Sequence, residues 1–253
     1  MARELETEIE GIIAQQLTAL NRPDLFRQPL VAFSSADDAR YASLKKIIGE
    51  WHQSPTEILP GAASVISYFV PFTQAVAKDP NNAELVSPLW GEAYVVINRH
   101  FDVINRAVCG HLISLGHSAI ETRPTNNYDP KDLKCEWSHR SAAAIAGLGA
   151  FGANGLLMTK KGTGGRYGTV ITTAKLNADR HPAENKCLFI KNGSCGLCFK
   201  VCPAKALSPN GTDRFACQDR LDLHEVLLKD IPNMLGTGTC GKCISVCPFA
   251  YIA

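Results

Sequence analysis

No stretch of this 253-residue chain approaches the roughly 18 consecutive apolar residues that a membrane-spanning helix needs, so no such helix is expected. The first ten residues, Met-Ala-Arg-Glu-Leu-Glu-Thr-Glu-Ile-Glu, lack the basic and apolar regions of a secretory signal, and no twin-arginine leader is present. Both absences lead to the expectation of a cytoplasmic protein. Charge of one sign is also missing. Lys and Arg number 26 against 24 Asp and Glu, and a net charge of +2 gives no overall pull toward nucleic acid or membrane. No repeat of 20–50 residues is visible.

Cysteine, by contrast, is abundant: ten residues, eight of them after residue 186. A disulfide framework needs an oxidising compartment, and the sequence shows no route to one, so metal ligation is the better reading. Two segments share one pattern, Cys195-Gly-Leu-Cys198-Phe-Lys-Val-Cys202-Pro203 and Cys240-Gly-Lys-Cys243-Ile-Ser-Val-Cys247-Pro248. Each is C-x2-C-x3-C-P, the bacterial ferredoxin run without its first cysteine. Cys187 and Cys217 stand outside the segments at positions that complete two sets of four. A C-x2-C turn offers two thiolates to one cluster, and the cysteine before proline ligates the other cluster in two-cluster ferredoxins. That rule assigns Cys187, Cys195, Cys198 and Cys247 to cluster I, and Cys202, Cys217, Cys240 and Cys243 to cluster II, both read as [4Fe–4S]. Two zinc sites of four cysteines are the alternative, since zinc also uses C-x2-C pairs.

The rest of the chain reads as strands alternating with helices. Helices are expected over 3–20, 37–50, 91–115 and 138–146, strands over 63–70, 117–122 and 167–173, and loops over 75–87 and 126–132. This pattern argues for an α/β (or α+β) sandwich in residues 1–180 and a small double-cluster unit in 181–253, joined through the polar stretch 178–185.

Four stretches resemble the corrinoid-linked iron–sulfur family that includes epoxyqueuosine reductase and the reductive dehalogenases. They are Pro60-Gly-Ala-Ala-Ser-Val-Ile-Ser-Tyr68, Trp90-Gly-Glu-Ala-Tyr94, Ser138 through Gly152 with Ala-Gly-Leu-Gly at its centre, and the cysteine-rich tail. The resemblance implies a nitroreductase-like sandwich followed by a ferredoxin-like domain. It further implies an iron–sulfur oxidoreductase that passes low-potential electrons to cobalamin or a substrate in the N-terminal domain. A flavin is the lesser cofactor alternative. The electron donor would be a ferredoxin or flavodoxin. The family's helical-repeat extension and the dehalogenases' leader and insert are not found, so tRNA is not an expected partner. Asp129, Asp132 and Glu136 lie where the reductase carries its acidic proton donor and become catalytic candidates. The rival functions are a non-catalytic electron carrier and a corrinoid-reducing or corrinoid-handling protein.

Other features carry less. Gly147-Leu-Gly-Ala-Phe-Gly152 matches G-x-G-x-x-G but follows a helix rather than a strand, which argues against a dinucleotide site. Gly147, Gly149, Gly152 and Gly155 instead suggest a tight turn close to a bound cofactor. Lys160-Lys-Gly-Thr-Gly-Gly-Arg166 reads either as a phosphate-holding loop, with Arg166 as cofactor ligand, or as a solvated hairpin turn. Ser138 is expected to cap the helix whose first turn presents His139 and Arg140 to the pocket or to solvent. Cys109 reads as a packed core thiol and Cys135 as a loop thiol. D-x-H-x-x-G is absent, so a histidine-ligated corrinoid site of that type is not indicated.

Overall fold

The computed structural model describes residues 2–83, 86–122, 128–129, 131–178, 182–232, 234 and 236–253. The chain opens with α1 (Ala2–Ala19), β1 (Leu30–Ser35), α2 (Ala39–Ile47), α3 (Pro55–Ile58), β2 (Ser64–Pro71), α4 (Gln74–Asn82) and α5 (Pro88–Ser114). Next come β3 (Ala119–Glu121), α6 (His139–Ile145), β4 (Gly149–Phe151), β5 (Leu157–Thr159) and β6 (Gly165–Thr172). The cysteine-rich region holds α7 (Leu188–Asn192), α8 (Leu197–Val201), β7 (Leu207–Ser208), β8 (Gly211–Thr212), α9 (Arg214–Leu228) and α10 (Lys242–Ser245). No helix among the described residues is long and apolar enough to cross a membrane.

The main sheet has the order β1-β2-β6-β3, and every pairing in it is antiparallel. All eight residues of β2 are buried, so both of its faces are covered. The two-residue period of a strand divides them. Ile66, Tyr68 and Val70 pack with Phe101, Ile104 and Val108 of α5 and with Ile9 and Ile13 of α1. Val65 joins Ile171, Ala142, Ile145 and Tyr41 beneath α6 and α2, and Phe69 packs with Ala143, Ala146 and Leu148. Helices therefore sandwich an antiparallel sheet. The mixed α/β content is as expected, but the strand–helix alternation does not build a parallel sheet, because β6 from late in the chain inserts between β2 and β3.

Two expectations are corrected. Residues 74–82, expected as loop, form α4 despite Asp79-Pro80-Asn81-Asn82. The Thr73 hydroxyl caps the Val76 N–H, and Val76, Ala77 and Pro80 are buried along one face. Core burial outweighs local turn chemistry here, and Pro80 sits in the last turn, where it costs one helical hydrogen bond. β1 was not expected at all; its Leu-Val-Ala-Phe-Ser-Ser run is defined by pairing with β2 from Leu30↔Phe69 to Ser35↔Ser64. The expected loop 126–132 and the joining stretch 178–185 fall partly outside the described residues.

The cysteine-rich region is fastened to the sandwich. The Phe249 and Ala250 carbonyls accept from the N–H groups of Thr163 (3.0 Å) and Gly164 (2.9 Å). Arg27 Nη2 donates to the Ile252 carbonyl (2.7 Å), Ser245 Oγ to the Lys78 carbonyl (2.7 Å), and Trp90 Nε1 to Thr239 Oγ1 (2.8 Å). These bonds hold the C-terminal cysteine segment against the second half of α4, the start of α5 and the loop before β6.

Candidate functional site

The two cysteine segments begin short helices α8 and α10, each entered through a glycine with positive φ, Gly196 (φ 130°) and Gly241 (φ 74°). That conformation turns the C-x2-C pair to one side of the backbone. Cys187, Cys195, Cys198 and Cys247 come together around one cavity, whose other walls are largely apolar: Met158, Leu188, Phe189, Leu197, Pro248 and Phe249. These are the four residues that spacing assigns to the first set. Burial pushes the Cys198 thiol up, with Cys195 and Cys187 adding to it, and burial does the same for Cys247, with Cys187, Cys195 and Cys198 adding.

The second set shows the same mutual influence. Burial raises Cys217, with Cys202 and Cys240 next, and burial raises Cys240, with Cys202 contributing. Cys243 is pushed up to about 12 by burial, then by Cys240, Cys217, Cys202 and Cys198. Cys243 thus lies where the two sets meet. A metal centre would have to displace these thiol protons. Among the described residues no three His, Cys, Asp or Glu side chains converge as ligands of a single ion. The donor set nevertheless fits an iron–sulfur cluster: four soft ligands around a space from which apolar side chains exclude water.

The glycine turn reaches both sets. Gly152, Ala153 and Asn154 line the cavity. Ala153 N–H points at Cys187 Sγ (3.5 Å), and Asn154 Nδ2 donates to the Cys243 carbonyl (3.2 Å). The four candidate glycines divide. Gly147 ends α6 with φ 78°, and a Cβ on Gly149 would lie 2.4 Å from the Met158 carbonyl oxygen, so both serve the backbone. Gly152 borders the thiol cavity. Gly155 has open space on its Cβ side, and its carbonyl accepts from Arg140 Nη1 (3.0 Å).

Arg140 is exposed as a whole residue. Its pKa is lowered by burial and then by Arg166, while Tyr167, Cys243 and Cys217 act the other way. Arg166 lies 4.4 Å over the Tyr94 ring and donates to Asn98 Oδ1 (3.2 Å). Burial likewise raises the Tyr167 phenol well above its ordinary value. Arg140, Arg166, Tyr167 and Gly155 therefore share one region, with the second cysteine set beside it.

The start of α6 is held by a residue that the sequence did not single out. Ser138 Oγ caps the Ser141 N–H (3.2 Å), as expected. Thr169 Oγ1 of β6 accepts from Trp137 Nε1 (2.8 Å) and pairs with His139 Nδ1 (2.8 Å) and Thr122 Oγ1 (2.5 Å), so three elements converge on one hydroxyl. A threonine in a β-rich run gives no signal of such a role. His139 is oriented by this network, toward the sheet.

The acidic candidates sit elsewhere. Asp129 Oδ1 accepts from the Lys131 N–H (2.8 Å), and Asp132 pairs with Lys134 Nζ (2.7 Å), which holds its carboxyl below the usual range. Glu136 is exposed. None of the three is brought to Arg140 by a contact among the described residues. The Lys160–Arg166 loop packs against the C-terminal segment. Its Thr163 and Gly164 amides are bonded to the C-terminal segment, and a Cβ on Gly162 would lie 2.6 Å from the Ala250 carbonyl oxygen. Cys109 packs against the core, as expected, and burial pushes it up to about 11. Cys135 is half-buried and donates to the Trp137 carbonyl (3.1 Å).

No family model and no curated protein matches the sequence. Solved structures do match the fold. Epoxyqueuosine reductase bound to an epoxyqueuosine-modified tRNA-Tyr stem loop superposes with a TM-score of 0.58 at 19% identity, over 99% of this chain and 66% of that one. The Streptococcus thermophilus epoxyqueuosine reductase gives 0.56 at 16% identity, with the same coverage of 99% and 66%. A catabolic reductive dehalogenase in complex with 3-bromo-4-hydroxybenzoic acid gives 0.59 at 16% identity, over 88% of this chain and 30% of that one. The chain thus spans just under two thirds of the epoxyqueuosine reductases, at 66% of their length. With identities this low, the conclusion concerns architecture: the chain has the fold shared by epoxyqueuosine reductases and reductive dehalogenases.

Proposed function

We propose that this protein is an iron–sulfur reductase that carries two [4Fe–4S] clusters and delivers low-potential electrons to a corrinoid held beside Gly155, Arg140 and Arg166. One observation carries the reading. Four of the eight cysteines of the tail, Cys187, Cys195, Cys198 and Cys247, line one largely apolar cavity, which supports the ferredoxin-type reading of their spacing. The dehalogenase relative whose structure suggests a B12-dependent mechanism, similar with a TM-score of 0.51 at 17% identity, supports the choice of corrinoid.

When bound, the clusters would supply one-electron transfer and the corrinoid, once reduced, a strong nucleophile and reductant. The chain's own residues hold and shield that chemistry. Cys187, Cys195, Cys198 and Cys247 would take one cluster, and Met158, Phe189 and Phe249 exclude water from it. Cys202, Cys217, Cys240 and Cys243 would take the other, nearer Arg140. Ala153 N–H donates toward Cys187 Sγ, a contact that stabilises negative charge on sulfur. Arg140 and Arg166 bring positive charge to one region, suited to a phosphate of the cofactor or to an anionic substrate.

A corrinoid-reducing protein with no substrate of its own is the second reading. It is favoured by the placement of Asp129 and Asp132, whose carboxylates are engaged in their own turn. Anaerobic purification with iron and sulfide counting tests the first claim, and titration with cob(II)alamin, followed by its base-off spectrum, tests the second. About eight irons per chain are expected. Near-zero iron would sink the cluster claim, and about eight irons without corrinoid binding would leave an electron carrier.

A further inference from the structure

We propose that the surface over the first cysteine set is the docking face for a small, acidic one-electron carrier protein. The inference rests on the two-cluster reading and adds where electrons arrive and what delivers them. Three large apolar side chains are exposed around that cavity: Phe151 (37%), Ile190 (52%) and Leu197 (41%). Leu197 is decisive, because it both lines the thiol cavity and faces solvent. It lies between Cys195 and Cys198, so a partner touching it comes within a few bond lengths of two ligands. The Asn185 side chain ties the segment before Cys187 to the Phe151 carbonyl (2.8 Å), and Phe189 and Phe199 join α7 to α8 edge to face at 5.0 Å. The segments that carry the three residues are thus tied to one another.

Charge specifies the partner. Residues 182–212 contain Lys186, Lys191, Lys200 and Lys205 against a single carboxylate, Glu184, which is paired with Lys191 at 2.8 Å. Lys191, Lys200 and Lys205 are exposed. The neighbouring stretch 213–230 has the opposite balance, with Asp213, Asp219, Asp222, Glu225 and Asp230 against Arg214, Arg220 and Lys229. The whole chain is nearly neutral, so this basic patch is local. The exposed Leu197 together with Lys191 of α7 and Lys200 of α8 fits a carrier whose redox centre is surrounded by carboxylates, and such charge steers that carrier's approach. In the encounter the carrier gives up one electron and this protein gains it, with no bond made or broken.

The test uses anaerobically purified protein with its iron counted beforehand, and reduced flavodoxin as the acidic probe. Stopped-flow bleaching of the cluster absorbance is followed at rising ionic strength. Lys191→Glu/Lys200→Glu is expected to slow reduction by flavodoxin at least tenfold at low salt and to flatten its salt dependence. Iron content and reduction by dithionite should stay as in the parent. Lys229→Glu, on the acidic side, should behave as the parent. Unchanged reduction by flavodoxin in the double variant, or an equal loss in Lys229→Glu, overturns the docking face. A parent protein without iron overturns the two-cluster reading and the docking face with it.

Discussion

Gly241 offers the most direct test of how the cysteine region is seated. It stands between Cys240 and Cys243, has φ 74°, and a Cβ there would lie 2.6 Å from Trp90 Cε2. Trp90 cannot yield easily. It is 3% exposed, its ring stands edge-on to Phe72 at 5.0 Å, and its Nε1 is bonded to Thr239 Oγ1. In Gly241→Ala the left-handed backbone costs roughly 1–2 kcal/mol. The forced shift of Trp90 adds about 1–3 kcal/mol, as overpacking does. A total of about 2–5 kcal/mol corresponds, for a chain of this size, to a fall in Tm on the order of 10 °C. Gly193 is the matched control: its φ is 71°, but nothing lies within 4 Å of its would-be Cβ. Gly193→Ala should therefore lose only the backbone part, roughly 1–2 kcal/mol. Scanning calorimetry on both variants, with iron counted on each, separates the two contributions. Gly241→Ala should also lose iron preferentially from the second set, because the clash moves Cys240 and Cys243. Equal losses of Tm in the two variants would refute the claim that Trp90 sets the position of this ligand loop.

The remaining predictions follow from single contacts. Cys187→Ala and Cys217→Ala should each remove about half the iron, and Cys109→Ala none, by colorimetric assay; an unchanged count in either of the first two breaks the four-and-four assignment. Thr169→Val should destabilise by about 1–3 kcal/mol in urea unfolding, since it leaves the buried Trp137 Nε1 unpaired; a change within error would mean the hub is dispensable. His52 is buried, stacks on Trp137 at 5.8 Å, and among the described residues finds no hydrogen-bond partner for either ring nitrogen. Burial lowers its folded-state pKa, so its contribution is fully present above the unfolded value near 6.5 and is lost as pH falls toward the folded value. Urea midpoints of the parent should drop between pH 7.5 and pH 5 by more than those of His52→Phe, and parallel curves would remove His52 from the account.

Much of this was legible in the sequence because it was local. The pairs Cys195/Cys198 and Cys240/Cys243 were legible because C-x2-C places two thiols within one turn of backbone. The Ser138 cap, the helix before Gly147 and the strand 64–71 were legible for the same reason: each depends on residues within a few positions of itself. The errors came where distant parts of the chain decide. Asp79-Pro80-Asn81-Asn82 reads as a turn until Val76, Ala77 and Pro80 are pressed into the core. The sequence of the Lys160–Arg166 loop carries no sign that the Thr163 and Gly164 amides are bonded to the Phe249 and Ala250 carbonyls, because those partners lie 86 residues away.

By itself, then, the sequence determined which eight thiols are candidates to act together, through their spacing. Only the tertiary structure decided what surrounds them: that Cys187, Cys195, Cys198 and Cys247 line one cavity with the exposed Leu197 in its wall. Thiol spacing is a property of a few consecutive bonds. The direction a site faces depends on where β6, α5 and the last residues of the chain meet, and no local pattern encodes that meeting.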